Sequence, residues 1–188
     1  MTLRVVIMRH PPVAVQGIIY GQMDVPLIYE AEREIPRLAA DPLVLRAARA
    51  WCSPWQRARV VGHPLAQKLG LDITEDARLA ELGFGQWEGR SLVDLEHNEG
   101  ILYKDWMDNW DTFAAPGGES VGQMVARVDD WLREQFQHRR DMVHLVVAHG
   151  GVVRAMRTIS RRVTFRVGFE PQVQFLTPEL IEFDDRCF

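Results

Sequence analysis

Two runs of buried-strand character, one near each end of the chain, constrain most strongly what it can fold into, because each stops abruptly on residues that carry chemistry. Leu3-Arg4-Val5-Val6-Ile7-Met8 ends at Arg9-His10-Pro11-Pro12, and proline cannot continue a central ladder. Val143-His144-Leu145-Val146-Val147-Ala148 ends at His149-Gly150-Gly151 and gives way to the helical pattern Val152-Val153-Arg154-Ala155-Met156. Apolar strands linked to helices predict a mostly parallel sheet covered on both faces, a three-layer α/β/α sandwich. Ligands of such sheets bind outside the carboxyl ends of the strands, so Arg9, His10 and His149 are expected at one site.

Between these runs, Val121, Met124, Val125, Val128, Leu132 and Phe136 recur at helical spacing behind Ser120 and Gln123, a capping-box start. Residues 56–69 also read as helix, which Gly62-His63-Pro64 is expected to kink or split. A third helical stretch, 92–110, is interrupted at Asn98-Glu99-Gly100, and Phe113-Ala114-Ala115-Pro116-Gly117-Gly118 is a loop by its Pro-Gly chemistry. A short strand is expected at 50–52, and the tail 161–188 mixes short β-like runs with prolines. The chain has 188 residues and neither an internal repeat nor a linker-like composition, so one domain over 1–188 is expected.

Charge and cysteine usage narrow the function classes. Lys and Arg total 22 against 26 Asp and Glu, a net charge of -4 with no basic block, which argues against a nucleic-acid partner. No stretch approaches the roughly 18 uncharged apolar residues of a membrane span, and Arg4 and Arg9 interrupt the apolar start. Neither a membrane partner nor a signal peptide is expected. Cys52 and Cys187 have no metal-ligand spacing and fit a reducing, cytoplasmic setting, with Cys52 a small buried hydrophobe.

Two motifs mislead. Gly118-Glu119-Ser120-Val121-Gly122 has the letters of a nucleophile elbow, but the strand an elbow requires is replaced by Ala-Ala-Pro-Gly, and a cap role accounts for Ser120. Gly83-Phe84-Gly85-Gln86-Trp87-Glu88-Gly89 has glutamate where a dinucleotide fingerprint needs its third glycine. Arg9-His10 carries more, since a neutral imidazole can attack phosphorus while a guanidinium beside it holds two phosphate oxygens. The glycines after His149 let backbone amides meet an anion at a helix N-terminus. Arg57, just inside the helix that follows Ser53-Pro54, can face the same strand ends. A phosphate site is the economical reading, with His144 structural. Glu81 or Glu88, set among aromatics and glycines, could donate a proton, and the residues themselves do not choose between them. Tyr20, Trp87, Trp106 and Trp110 read as core more readily than as a stacking surface.

Taken in order, Arg9-His10, Ser53-Pro54 through Arg57-Ala58, Glu81 through Gly89, Pro116-Gly117-Gly118-Glu119-Ser120, and Ala148-His149-Gly150-Gly151-Val152-Val153-Arg154 resemble the histidine phosphatase superfamily, with its phosphoglycerate-mutase-like fold, over nearly the whole chain. The resemblance implies that His10 attacks the phosphate and carries it as phosphohistidine. Arg9, Arg57 and His149 would clamp the phosphate oxygens, Glu81 would act as acid and then base, and no metal or other cofactor would be needed. It further implies substrate contacts from Gly150 and from Tyr20, Gly21 and Gln22, and a small phosphorylated metabolite as partner. The segment Tyr20-Gly21-Gln22-Met23-Asp24-Val25-Pro26-Leu27 and the Pro-Gly-Gly-Glu-Ser opening resemble α-ribazole-phosphatase-like proteins, which makes α-ribazole 5′-phosphate a candidate substrate. A mutase is an alternative, although 82–115 is short for the insertion that encloses a mutase substrate. The chain departs from the family at Pro11, where the family has glycine, and Gln16 is the nearest counterpart of a missing asparagine. That departure makes an impaired phosphate-binding module the other alternative.

Overall fold

The computed structural model describes residues 2–28, 30–169 and 171–188. Among the described residues five strands form one sheet: β1 (Thr2–Arg9), β2 (Arg49–Cys52), β3 (Ile73–Glu75), β4 (Val143–Ala148) and β5 (Glu179–Asp184). Their order is β3-β2-β4-β1-β5, with every pairing parallel except that of β5 on β1. The helices are α1 (Ile35–Ala39), α2 (Gln56–Leu69), α3 (Leu92–Asn98), α4 (Gly100–Asn109), α5 (Val121–Arg139) and α6 (Gly150–Arg161).

The two-residue period of the strands divides the core. Leu3, Val5 and Ile7 of β1, Trp51 of β2, and Val146 and Ala148 of β4 face one apolar layer with Val128, Trp131 and Leu132 of α5 and Val152, Val153 and Met156 of α6. Val6, Met8, Ala50, Cys52, Leu145 and Val147 face the other layer, with Leu38 of α1 and Ala58, Val61 and Leu65 of α2. Because both faces of β1 and β4 are covered, their sequences read as unbroken apolar runs rather than as alternation. The edge strand β5 alternates instead, burying Ile181 and Phe183 and exposing Glu182, and this weaker pattern left the tail poorly defined in the sequence.

The capping box at α5 is present: the Ser120 hydroxyl accepts from the Gln123 amide at 3.2 Å, and the Gln123 side chain accepts from the Ser120 amide at 2.8 Å. The cap employs the hydroxyl, and a loop precedes it, so the elbow reading of Ser120 has no structural basis. Of the expected kink or split in α2, the split does not occur, because the helix continues through Pro64. Packing overrides local preference there. A Cβ on Gly62 would lie 2.9 Å from the Cys52 Cβ, so glycine lets α2 settle against β2 while Ala58, Val61, Leu65 and Ala66 are buried beside it, an apolar gain that outweighs the bond proline forfeits. The interruption at Asn98-Glu99-Gly100 is real and divides α3 from α4.

His144 is a structural residue. Trp51 Nε1 donates to its Nδ1 at 3.0 Å, which puts the ring proton on Nε2, 3.0 Å from the Arg139 carbonyl. The Cys52 thiol is fully buried and pushed up to about 12 by burial and then by Glu75, consistent with an inert apolar role. No helix among the described residues is long and apolar enough to cross a membrane.

Candidate active site

Three neighbouring strands end together. Arg9 of β1 lies opposite Ala148 of β4 in register, and the His10 amide donates to the Ala148 carbonyl at 2.9 Å. Ser53, the residue after β2, is tied to β4 by its amide on the Val147 carbonyl at 3.0 Å. Sheet register alone therefore places His10, His149 and Ser53 side by side. The two imidazole rings are 5.2 Å apart between centroids, at 60°.

The Nδ1 of His10 lies 2.6 Å from the Pro11 carbonyl. A carbonyl only accepts, so Nδ1 carries the proton and Nε2 keeps its lone pair. Proline at position 11 removes an amide N–H but retains the carbonyl that fixes this tautomer. The ring is buried, and its pKa falls to about 3, chiefly through burial, with the Arg57 and Arg9 charges adding to the effect against the Pro11 hydrogen bond. At neutral pH it is an uncharged imidazole whose free lone pair is on Nε2, the state in which such a ring can attack.

His149 is wholly buried and held well below the ordinary histidine range by burial, then by Arg57, His10, Arg127 and Arg9. Its Nε2 is 2.7 Å from the Ser53 hydroxyl, which also accepts from the Trp55 amide at 3.3 Å. With the serine proton given to Nε2, Nδ1–H is left as a donor. That Nδ1 is buried without a partner, as are the Nε atoms of Arg9 and Arg57. Buried donors are ordinarily paired, so three unpaired ones beside the neutral His10 ring are what an anion-binding site would offer.

The two arginines are braced by their remaining atoms. Arg57, buried, donates through Nη1 to the Met23 carbonyl at 2.6 Å and through Nη2 to the Gly21 carbonyl. Arg9 lies over the Phe175 ring, Cζ 3.8 Å from its centroid, and the segment carrying Phe175 is held to β1 by the Leu176 amide on the Arg9 carbonyl at 3.0 Å.

Glu81 occupies the N-terminus of α6. Both its oxygens lie 3.1 Å from the Gly151 amide, and Oε1 also accepts from the Leu82 amide at 3.0 Å. A Cβ on Gly151 would fall 2.1 Å from Oε1, so the second glycine after His149 makes room for this carboxylate, and its amide serves Glu81. Glu88 has a different task, accepting from the amides of Gly21 at 2.7 Å, Gln22 at 2.8 Å and Phe84 at 3.0 Å. It joins two loops and spends its carboxylate on them. Of the two candidate acids, Glu81 shares a cavity with His10.

That cavity has a volume of about 210 Å³ and is walled by Arg9, His10, Tyr20, Glu81, Leu82, Phe84, Gly151, Arg154 and Phe165. Arg57 and His149 are buried and interact electrostatically with His10. Gly150 packs beside Arg9 and Arg154. Gln22 lines a separate polar cavity of about 430 Å³, with no wall residue in common with the first, its amide donating to the Glu81 carbonyl at 3.0 Å and to Glu119 at 3.2 Å. Gln16 is exposed and lines neither cavity. Trp87 is fully buried, edge-on to Trp106 at 5.8 Å and to Tyr103 at 5.9 Å, which makes it core.

A family model for the histidine phosphatase superfamily, branch 1, matches residues 5–173. The chain belongs to that superfamily. As a histidine phosphatase it is an enzyme of the phosphatase type, and its sheet is the family's phosphoglycerate-mutase-like α/β/α sandwich. It is 28% identical over 142 residues to "Putative phosphoserine phosphatase 2" of Hydrogenobacter thermophilus, an alignment covering 75% of this chain and 69% of that protein. It is 29% identical over 132 residues to a probable phosphoglycerate mutase, GpmB, of Salmonella paratyphi C, covering 70% of this chain but only 61% of the mutase. Among solved structures, the α-ribazole phosphatase of Shigella flexneri superposes with a TM-score of 0.87 over 98% of this chain and 92% of that one, at 20% identity.

Arg154, Phe165 and Phe175 were not singled out as site residues in the sequence. Arg154 follows His149 by five residues on α6 and could have been found from that spacing. The two phenylalanines come from the weakly patterned tail and carry no local signal.

Buried neutral histidines also make this histidine phosphatase acid-sensitive. His10, His144 and His149 all titrate below the ordinary value of 6.5 in the folded chain, so the unfolded chain binds protons first as pH falls. The contribution of these rings to stability is expected to be complete above about pH 6.5 and to decline below it, by up to about 1.4 kcal/mol per pH unit for each ring. Urea midpoints at pH 7 and pH 5 are expected to differ in that direction, and His10→Asn should flatten the dependence by one ring's share. An unchanged slope in that variant would show that His10 is already charged.

Proposed function

We propose that the chain is a metal-independent phosphomonoesterase that hydrolyses a small phosphorylated metabolite through phosphohistidine at His10. The observation that carries this reading is the neutral His10, its proton fixed on Nδ1 by the Pro11 carbonyl, among the unpaired donors of Arg9, Arg57 and His149. In the first step Nε2 attacks phosphorus, the bond to the ester oxygen breaks, and Glu81 protonates that oxygen as the alcohol leaves. In the second, Glu81 takes a proton from water, the water oxygen attacks phosphorus, and the P–N bond breaks to restore neutral His10. Arg9, Arg57 and His149 supply hydrogen bonds and positive charge to the phosphoryl oxygens as charge redistributes over them.

The aromatic rings of Tyr20, Phe84 and Phe165 with Arg154 at the cavity wall suit a leaving group that presents a flat or apolar surface with a polar substituent. A nucleoside-like monoester such as α-ribazole 5′-phosphate meets that description, and the fold likeness to the Shigella enzyme supports testing it. A mutase is the second reading, favoured by the sequence likeness to GpmB and opposed by the short stretch 82–115. Pro11 does not by itself argue for an impaired module, because the carbonyl that orients His10 is kept.

The test is phosphate release from α-ribazole 5′-phosphate, 3-phosphoglycerate, phosphoserine, sugar phosphates and nucleotides in excess chelator. Release undiminished by chelator, with α-ribazole 5′-phosphate preferred, is expected. Isomerisation of 3-phosphoglycerate outpacing phosphate release would assign a mutase, and binding without turnover of any ester would assign an impaired module.

A further inference from the structure

The Pro116-Gly117-Gly118-Glu119-Ser120 segment and α5 contain an ion pair that the reaction itself does not use. Arg127 of α5 donates through Nη1 to the carbonyls of Arg78 and Ala80, each at 2.7 Å, and through Nη2 to the carbonyl of Glu81 at 3.0 Å. It completes its set on Glu119, with Nε 3.0 Å from Oε2 and Nη2 2.6 Å from Oε1. A guanidinium has five N–H groups in a rigid plane, and here five contacts use them. Three of the acceptors are backbone carbonyls of the segment that ends on Glu81.

Glu119 holds the other side of the same loop. Its Oε1 accepts from the Gly83 amide at 3.0 Å as well as from Gln22, and its own amide donates to the Gly83 carbonyl at 2.9 Å. The approach is close because both segments carry glycine. A Cβ on Gly118 would lie 2.5 Å from the Gly83 carbonyl oxygen, and one on Gly85, at φ +53°, would lie 2.4 Å from the Gly118 nitrogen. The backbone of Glu81 is thus gripped at residues 78, 80 and 81 by Arg127 and at 83 by Glu119. Both side chains are mostly shielded from solvent, where an ion pair is weakened little by salt.

We propose that Arg127, with Glu119, is a positioning residue for the proton donor: it sets where the Glu81 carboxylate stands relative to the departing oxygen and touches no substrate atom. The proposal rests on the reading of Glu81 as the acid. Losing the guanidinium would take the donor from the Arg78 and Ala80 carbonyls and from Oε2 of Glu119 and leave the Glu81 carbonyl with Gln22 alone, and the loop carrying Glu81 would move to satisfy them. Phosphoryl clamping by Arg9, Arg57 and His149 is supported by other contacts and should survive.

Leaving-group dependence reads this directly, because an ester with a good leaving group departs without protonation and one with a poor leaving group does not. kcat/KM would be measured for p-nitrophenyl phosphate, phenyl phosphate and an alkyl phosphate in the parent enzyme, Glu81→Gln, Arg127→Met, Arg127→Lys, Glu119→Gln and the double variant Glu81→Gln/Arg127→Met. Arg127→Met is expected to lose about 10²-fold on the alkyl ester, at the lower end of what general acid catalysis contributes, and less than about threefold on p-nitrophenyl phosphate. Arg127→Lys and Glu119→Gln, which keep the side-chain volume and test the point if Arg127→Met folds poorly, should fall between. The double variant should be no slower than Glu81→Gln, since both changes remove one function. An equal loss on all three esters in Arg127→Met and Glu119→Gln, or losses that multiply in the double variant, would overturn the proposal while leaving Glu81 as acid. A Glu81→Gln enzyme with no leaving-group dependence would overturn both readings.

Discussion

Replacing His10 by alanine is expected to abolish turnover, with a loss of about 10⁴-fold or more, the scale on which enzymes lose rate when a covalent nucleophile is removed. The size follows from the geometry. Nε2 of His10 is the one ring nitrogen at the strand ends with a proton fixed elsewhere by a backbone carbonyl, whereas Nε2 of His149 is committed to Ser53. The anion donors should remain, because Arg57 is fixed by the carbonyls of Gly21 and Met23 and Arg9 by Phe175 and the Val173 carbonyl. His10→Ala should therefore still bind phosphate or a substrate analogue while failing to turn over. Rapid quenching with labelled monoester should show protein-bound, acid-labile label in the parent and none in His10→Ala. Label retained in the variant would move the nucleophile to another residue, and loss of phosphate binding together with turnover would show that the ring is needed to build the site.

The parts of this fold that were legible in the sequence are those whose signal is local. The runs ending at His10 and His149 announced β1 and β4 because strands covered on both faces are apolar throughout, and the capping box announced α5 because its two side chains lie three residues apart. β3, three residues long at the sheet edge, and α1 offer too short a pattern to detect. Pro64 misled for the opposite reason: its preference is local and strong, but Gly62 against Cys52 commits α2 to the sheet. The choice between Glu81 and Glu88 could not be made from residues alone, since both sit among the same glycines and aromatics. It turns on which backbone amides each carboxylate meets, and those belong to Gly151 in one case and to Gly21, Gln22 and Phe84 in the other. Phe175 reaches the site because β5 returns antiparallel beside β1 and the segment before it crosses the end of β1, a consequence of topology with no periodic trace, and Phe165 lines the cavity from the unpatterned stretch after α6.

Glu81→Gln is expected to lower kcat/KM for an unactivated monoester by about 10²–10⁴-fold, the usual contribution of a positioned general acid, with little change in the affinity for inorganic phosphate. The substitution is nearly isosteric, and its amide oxygen can accept from Gly151 and Leu82 as Oε1 does now, so α6 keeps its N-terminal partner and the loop should stay in place. What glutamine cannot do is release a proton to the departing oxygen or take one from the incoming water. Both half-reactions should therefore slow, and for p-nitrophenyl phosphate, whose leaving group needs no proton, the second should become limiting and phosphohistidine should accumulate. A burst of p-nitrophenol equal to the enzyme concentration, followed by slow release of phosphate, would be its signature. Parent-like rates on alkyl esters would remove Glu81 from the chemistry, and because Glu88 is already engaged by three amides, the acid would then have to come from outside the pair of carboxylates that the sequence singled out.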